Sequence, residues 1–112
     1  MAVTNRGILL KSDIVKNGLL EGVKTQVAHN AHELIVSLLL EDVKGGSYTG
    51  KLYHSFDGIN WKLLEELNCD EKLVFDCKSI TQPIFPWLKA ELEAKDIKKK
   101  KGASAALSIH YR

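Results

Sequence analysis

The residues best equipped for chemistry in this chain lie in one short stretch, HSFDGINW, over positions 54–61. His54, Ser55 and Asp57 supply a base, a hydroxyl and a carboxylate, the side-chain types of a nucleophilic triad. Asp57, Gly58 and Trp61 supply a tight turn followed by an aromatic ring, which suits either a carbohydrate-reading loop or a turn that feeds a ring into a core. Strand geometry excludes the triad. Adjacent strand residues project from opposite faces, so His54 and Ser55 cannot serve each other as base and nucleophile.

The other titratable groups carry less. His29 and His32 stand three apart and could share a metal, but no cysteine or carboxylate completes the set at a recognisable interval, and they read as loop residues. The pairs Glu41-Asp42, Glu65-Glu66 and Asp70-Glu71 fall at strand ends or loops, without the apolar setting that raises a carboxyl pKa for acid–base work. GGSYTG lacks the lysine and the following helix of a phosphate-binding loop. No enzyme, cofactor or metal is expected. The lysine run stands apart: Lys98, Lys99, Lys100 and Lys101 would gather positive charge at a hairpin tip, either simply solvated or set against an acidic protein surface or phosphates. No aromatic interleaves them, and the net charge is only +2, so a nucleic-acid partner is disfavoured.

The elements that must position these residues follow from composition and periodicity. With 112 residues, 45% hydrophobic and 27% charged, the chain reads as one domain spanning 1–112. Its start, MAVTNRGILLKSD, does not read as a secretory signal, and no run of eighteen apolar residues marks a membrane span, so folding in a cytoplasm is expected. In that compartment Cys69 and Cys77 are expected as free thiols. A helix over SDIVKNGLLEGVK would enclose Gly18 and Gly22, each costing about 1 kcal/mol relative to alanine. The apolar run 34–40 has the length of a central strand covered on both faces. In PWLKAELEAK, Leu88, Ala90, Leu92 and Ala94 alternate with Lys89, Glu91, Glu93 and Lys95, and that period of two outweighs good helix formers. Seven or eight short strands separated by turn-formers predict an all-β antiparallel sandwich, jelly-roll-like or galactose-binding-like.

Within that frame Asp57-Gly58 reads as a two-residue type I′ turn. The register then pairs Phe56 with Ile59, His54 with Trp61 and Leu52 with Leu63, all on the core face. Trp61 becomes a core anchor, with His54 a partly buried imidazole beside it.

The order of features resembles small β-sandwich structural proteins of tailed bacteriophages. The residues that carry the likeness are ELIVSLLLEDV, GGSYTG, the KLYHSFDGINWKLL hairpin, FPWLKAELEA and ALSIHYR. The same hairpin looks like that of discoidin-type sandwiches, although this chain is shorter than those domains usually are. The phage resemblance implies a non-enzymatic virion protein, most specifically a capsid decoration or cement protein. Such a protein would sit on the head, bridge shell subunits of the major capsid protein and form homo-oligomers, a trimer among them. A tail, neck or fibre-associated adaptor and a carbohydrate-binding module are the alternatives. Residues 1–24 are either a docking segment, because Ile8, Leu9, Leu10, Ile14, Val15, Leu19 and Leu20 exceed what one edge strand can hide, or a stretch whose apolar residues complete the sandwich. Lys98, Lys99, Lys100 and Lys101 are expected as a second contact on an acidic capsid surface.

Overall fold

The structure, a computed structural model, describes residues 5–27 and 33–111; the His29/His32 pair lies outside them. The described residues form nine strands: β1 (Asn5–Ile14), β2 (Gly18–Glu21), β3 (Thr25–Gln26), β4 (Leu34–Glu41), β5 (Ser47–Ser55), β6 (Lys62–Asp70), β7 (Phe75–Ile80), β8 (Trp87–Lys95) and β9 (Ala103–Tyr111). They make two antiparallel sheets, one ordered β1-β9-β4-β7 and the other β2-β8-β5-β6, with β3 also pairing β8. The interrupted pair β2 and β3 fills one position beside β8, which leaves the strand order of an eight-stranded jelly roll.

Alternation decides what each strand gives the core. Leu88, Ala90, Leu92 and Ala94 of β8 and Leu34, Val36, Leu38 and Leu40 of β4 point into one core, which Leu107 and Ile109 of β9 share. The sequence LKAELEA is therefore a strand despite its helix formers, because its period matches the sheet. The run 34–40 is a central strand as expected, but only one of its faces is covered. Ile35 and Leu39 stand exposed on the outer side of the β1-β9-β4-β7 sheet, since no further layer lies over that side among the described residues.

The lysine run is also placed differently. β8 and β9 belong to different sheets, so residues 98–101 bridge the two layers rather than cap a hairpin. Lys99 and Lys100 both adopt positive φ, 52° and 60°, and the Lys101 N–H donates to the Lys98 carbonyl at 2.9 Å. This is the geometry of a type I′ turn, built from lysines where asparagine and glycine are usual.

One edge of the sandwich is closed by a seam. The register of β1 on β9 slips between Ile8 and Leu10, so Leu9 is an extra residue, and the bulge sends Leu9 and Leu10 both inward. The Leu9 carbonyl, free of the ladder, accepts from the Val23 N–H at 2.9 Å, while the neighbouring Gly22 N–H donates to Ala90 at 2.8 Å. Residues 22–23 thus tie the two sheets together. A Cβ on Gly22 would stand 2.2 Å from the Leu9 oxygen, so only glycine permits this approach.

Two outcomes follow. Gly22→Ala is expected to lower stability by about 1–3 kcal/mol in chemical denaturation, and an unchanged midpoint would refute the seam. Cys69 is buried, with Sγ donating to the Leu38 carbonyl at 3.6 Å, and burial pushes its thiol up to about 11, whereas Cys77 is exposed. A thiol reagent should label Cys77 in the native protein and reach Cys69 only after unfolding.

Candidate functional site

The stretch that offered chemistry folds as a hydrogen-bonded loop between β5 and β6. Ser55 Oγ accepts from the Gly58 N–H at 2.9 Å and the Asp57 N–H at 3.3 Å, and its hydroxyl donates to Asp57 Oδ1 at 2.9 Å. Asp57 Oδ1 in turn accepts from the N–H groups of Ile59 (2.9 Å) and Asn60 (2.8 Å), and Oδ2 from Asn60 Nδ2 (2.7 Å). The backbone N–H groups of Asn60 and Ile59, then the Asn60 and Ser55 side chains, hold the Asp57 carboxyl well below the usual carboxylate range. Ser55 and Asp57 are occupied as loop scaffolding, and Gly58, at φ 78°, turns the chain over the Trp87 ring.

This network replaces the expected two-residue turn. Side-chain oxygens take loop N–H groups that strand pairing would otherwise use, so the ladder ends earlier, at His54 and Lys62. A slip between Leu52 and Tyr53 pairs Leu52 with Glu65 and Tyr53 with Leu63. The predicted core face is thereby broken up. Phe56 and Ile59 stand in solvent at 76% and 77% exposure, and Leu63 is exposed on the outer face. Trp61 is only half-buried and is no core anchor; the ammonium groups of Lys89 and Lys24 lie 4.8 and 5.7 Å from its ring centroid. His54 is buried, but beside Phe85 rather than Trp61, with stacked ring centroids 4.5 Å apart. Phe56 meets the same Phe85 edge-on at 5.4 Å.

The residues proposed for docking divide into three groups. Leu9, Leu10 and Ile14 are core residues, which removes them from any docking surface; Ile8 is exposed on the outer face of the β1-β9-β4-β7 sheet. Val15, Leu19 and Leu20 remain together at the corner where β1 turns into β2. β2 is an edge strand with all four residues exposed, Leu19 at 56%, and Val23, which sequence reasoning missed, extends the patch at 61%. A hollow of about 140 Å³ lies among Ile14, Val15, Leu19, Leu20 and Ala94.

The lysine turn comes to the same corner. Asn17 Oδ1 accepts from the Ile97 N–H at 2.9 Å, and Val15 and Lys100 line one hollow of about 250 Å³. On its other side the turn borders an open cleft of about 560 Å³, where Lys98 and Lys101 face Asp70, Glu71 and Asp96. The charge there is mixed.

No protein-family model matches the chain, and no curated protein does. Among solved structures it is similar to PirA, at 11% identity and a TM-score of 0.45, over 100% of this chain and 95% of that one. It is also similar to the Yersinia pseudotuberculosis-derived mitogen YPM, at 13% identity and a TM-score of 0.49, over 97% and 82% of the two chains. The jelly-roll assignment rests on the strand order itself.

His54 gives this end of the sandwich a pH dependence. Its Nδ1 accepts from the Phe85 N–H at 3.1 Å, so the neutral ring carries its proton on Nε2. Burial first, and the Lys62 charge second, lower its pKa from 6.5. The unfolded chain therefore binds a proton that the folded chain resists, and stability complete above about pH 6.5 is lost as pH falls through the folded value. The melting temperature should fall more steeply from about pH 7.5 to about pH 5 in the native chain than in His54→Leu; parallel profiles would contradict this placement.

Proposed function

We propose that this chain is a non-enzymatic virion structural protein that works by surface contact in many copies, most specifically a decoration protein of a phage head. The observation that carries the reading is the β1–β2 corner. Val15, just before the edge strand β2, and Leu19 and Leu20 on it are exposed, with Lys100 of the lysine turn beside Val15. Burying a large aliphatic side chain stabilises a contact by roughly 1.5–3 kcal/mol, so a cluster left exposed is an unused source of binding energy. The outer backbone edge of β2, which pairs no strand among the described residues, adds hydrogen-bonding groups to it. The Lys100 ammonium, which shares a hollow with Val15, favours an acidic partner surface and speeds the encounter more than it tightens it. Many equivalent weak contacts on one shell then add up to firm attachment.

Carbohydrate binding draws on the half-buried Trp61. The ammonium groups of Lys89 and Lys24 over that ring compete with a stacking sugar, which leaves this the weaker reading.

Heads assembled without this chain test the proposal. Purified protein should occupy them saturably, and Val15→Glu/Leu19→Glu should lose at least tenfold in affinity while keeping its melting temperature within a few degrees. Heads that take up no native protein, or that take up the variant equally well, would overturn it.

A further inference from the structure

The connection from β7 to β8, residues 81–86 (TQPIFP), crosses between the sheets at the opposite end of β8 from the docking corner. It pairs with no strand. Its Ile84 side chain packs on the core, and two hydrogen bonds tie down its last residues. The Val27 N–H donates to the Pro86 carbonyl at 2.8 Å, and the Phe85 N–H donates to His54 Nδ1 at 3.1 Å. His54 is only 4% exposed, its ring stacked on that of Phe85 with an interplanar angle of 22°. One imidazole nitrogen thus fastens a segment that the sheets do not hold.

That nitrogen accepts only while the ring is neutral. Protonation turns Nδ1 into a donor aimed at the Phe85 N–H, and two donors cannot share a hydrogen bond. Among the described residues, no carboxylate is set to receive the new charge, and the charge that acts on His54 is the like one of Lys62, directly opposite on β6. On the β8 side the opposite residue is Leu88, and residues 81–86 carry no titratable side chain. In the β5–β6 loop the Asp57 carboxylate is already engaged by Ser55, Ile59 and Asn60, while the ammonium groups of Lys24 and Lys89 lie by Trp61. The Phe85 ring face attracts a cation but satisfies neither N–H. We propose that residues 81–86 are an acid-released strap: protonation of His54 breaks the bond to the Phe85 N–H, and the strap lifts from the end of the sandwich while both sheets stay folded. Release stays local because β4, β5, β8 and β9 are each paired on both sides, whereas the strap belongs to no ladder. It lets water reach the imidazolium and uncovers Ile84 and the ring of Phe85 that meets Phe56 edge-on, so more apolar surface faces water in acid than at neutral pH.

Amide hydrogen exchange tests this, read as protection factors so that the intrinsic pH dependence of exchange cancels. Between about pH 7.5 and about pH 5 the Phe85 amide of the native chain should lose protection by about tenfold or more, while Leu38 and Leu92 in the central strands keep theirs. The midpoint should match the titration of His54 Nδ1 followed by nitrogen NMR. His54→Asn, whose amide oxygen can accept from the Phe85 N–H at any pH, should keep Phe85 protected throughout. His54→Leu, which offers no acceptor, should lack that protection at both pH values. Phe85 protection that persists in acid in the native chain, or that is lost together with that of Leu38 and Leu92, would overturn the proposal, and this arm needs no variant. Loss in His54→Asn that parallels the native chain, or full protection in His54→Leu, would overturn it as well. No phage head enters the experiment, so the decoration reading is tested separately.

Discussion

A strand in a two-layer sandwich can give the core only every second residue, and that limit governs this molecule. β8 obeys it cleanly, with small and large apolar side chains inward and charges outward. β4 does not, because its outward positions include Ile35 and Leu39. The Leu9 bulge evades the limit once, by turning two consecutive leucines inward at the price of an unpaired carbonyl that Val23 then satisfies. Elsewhere the apolar surplus stands in water, at the β1–β2 corner, along one sheet face, at the tip of the β5–β6 loop and in the turn between β6 and β7.

Strand identity was legible wherever periodicity was strict. The alternation of PWLKAELEAK and the glycines of SDIVKNGLLEGVK both excluded helices that local propensity would have favoured, and the strands observed there agree. The run 34–40 was legible as a strand but not as a half-covered one, since its continuous apolar character conceals which face is buried. A hint lay in Ser37 and in the small residues Ala106 and Ser108, its outward neighbours across the central strands.

The loop was misread for a specific reason. Asp-Gly between alternating segments signals a two-residue turn, but Ser55 two positions before Asp57, and Asn60 after it, supply side-chain acceptors and a donor that stabilise a longer loop. That competition shortened the ladder, moved Trp61 out of the core and left Phe56 and Ile59 exposed. The union of Val15, Leu19 and Leu20 with the lysine turn was not legible at all, because it depends on the chain crossing between sheets after β8 and on the Asn17–Ile97 hydrogen bond. The burial of Leu9, Leu10 and Ile14 likewise depends on a bulge that no local motif announces.

The central proposal is that the exposed apolar corner at β1–β2 meets a larger protein surface. Electron microscopy of a particle that contains this chain tests it most directly. The account predicts many symmetry-related copies, each with Leu19, Leu20 and the lysine turn against the shell. Copies bound with that corner facing solvent would contradict it.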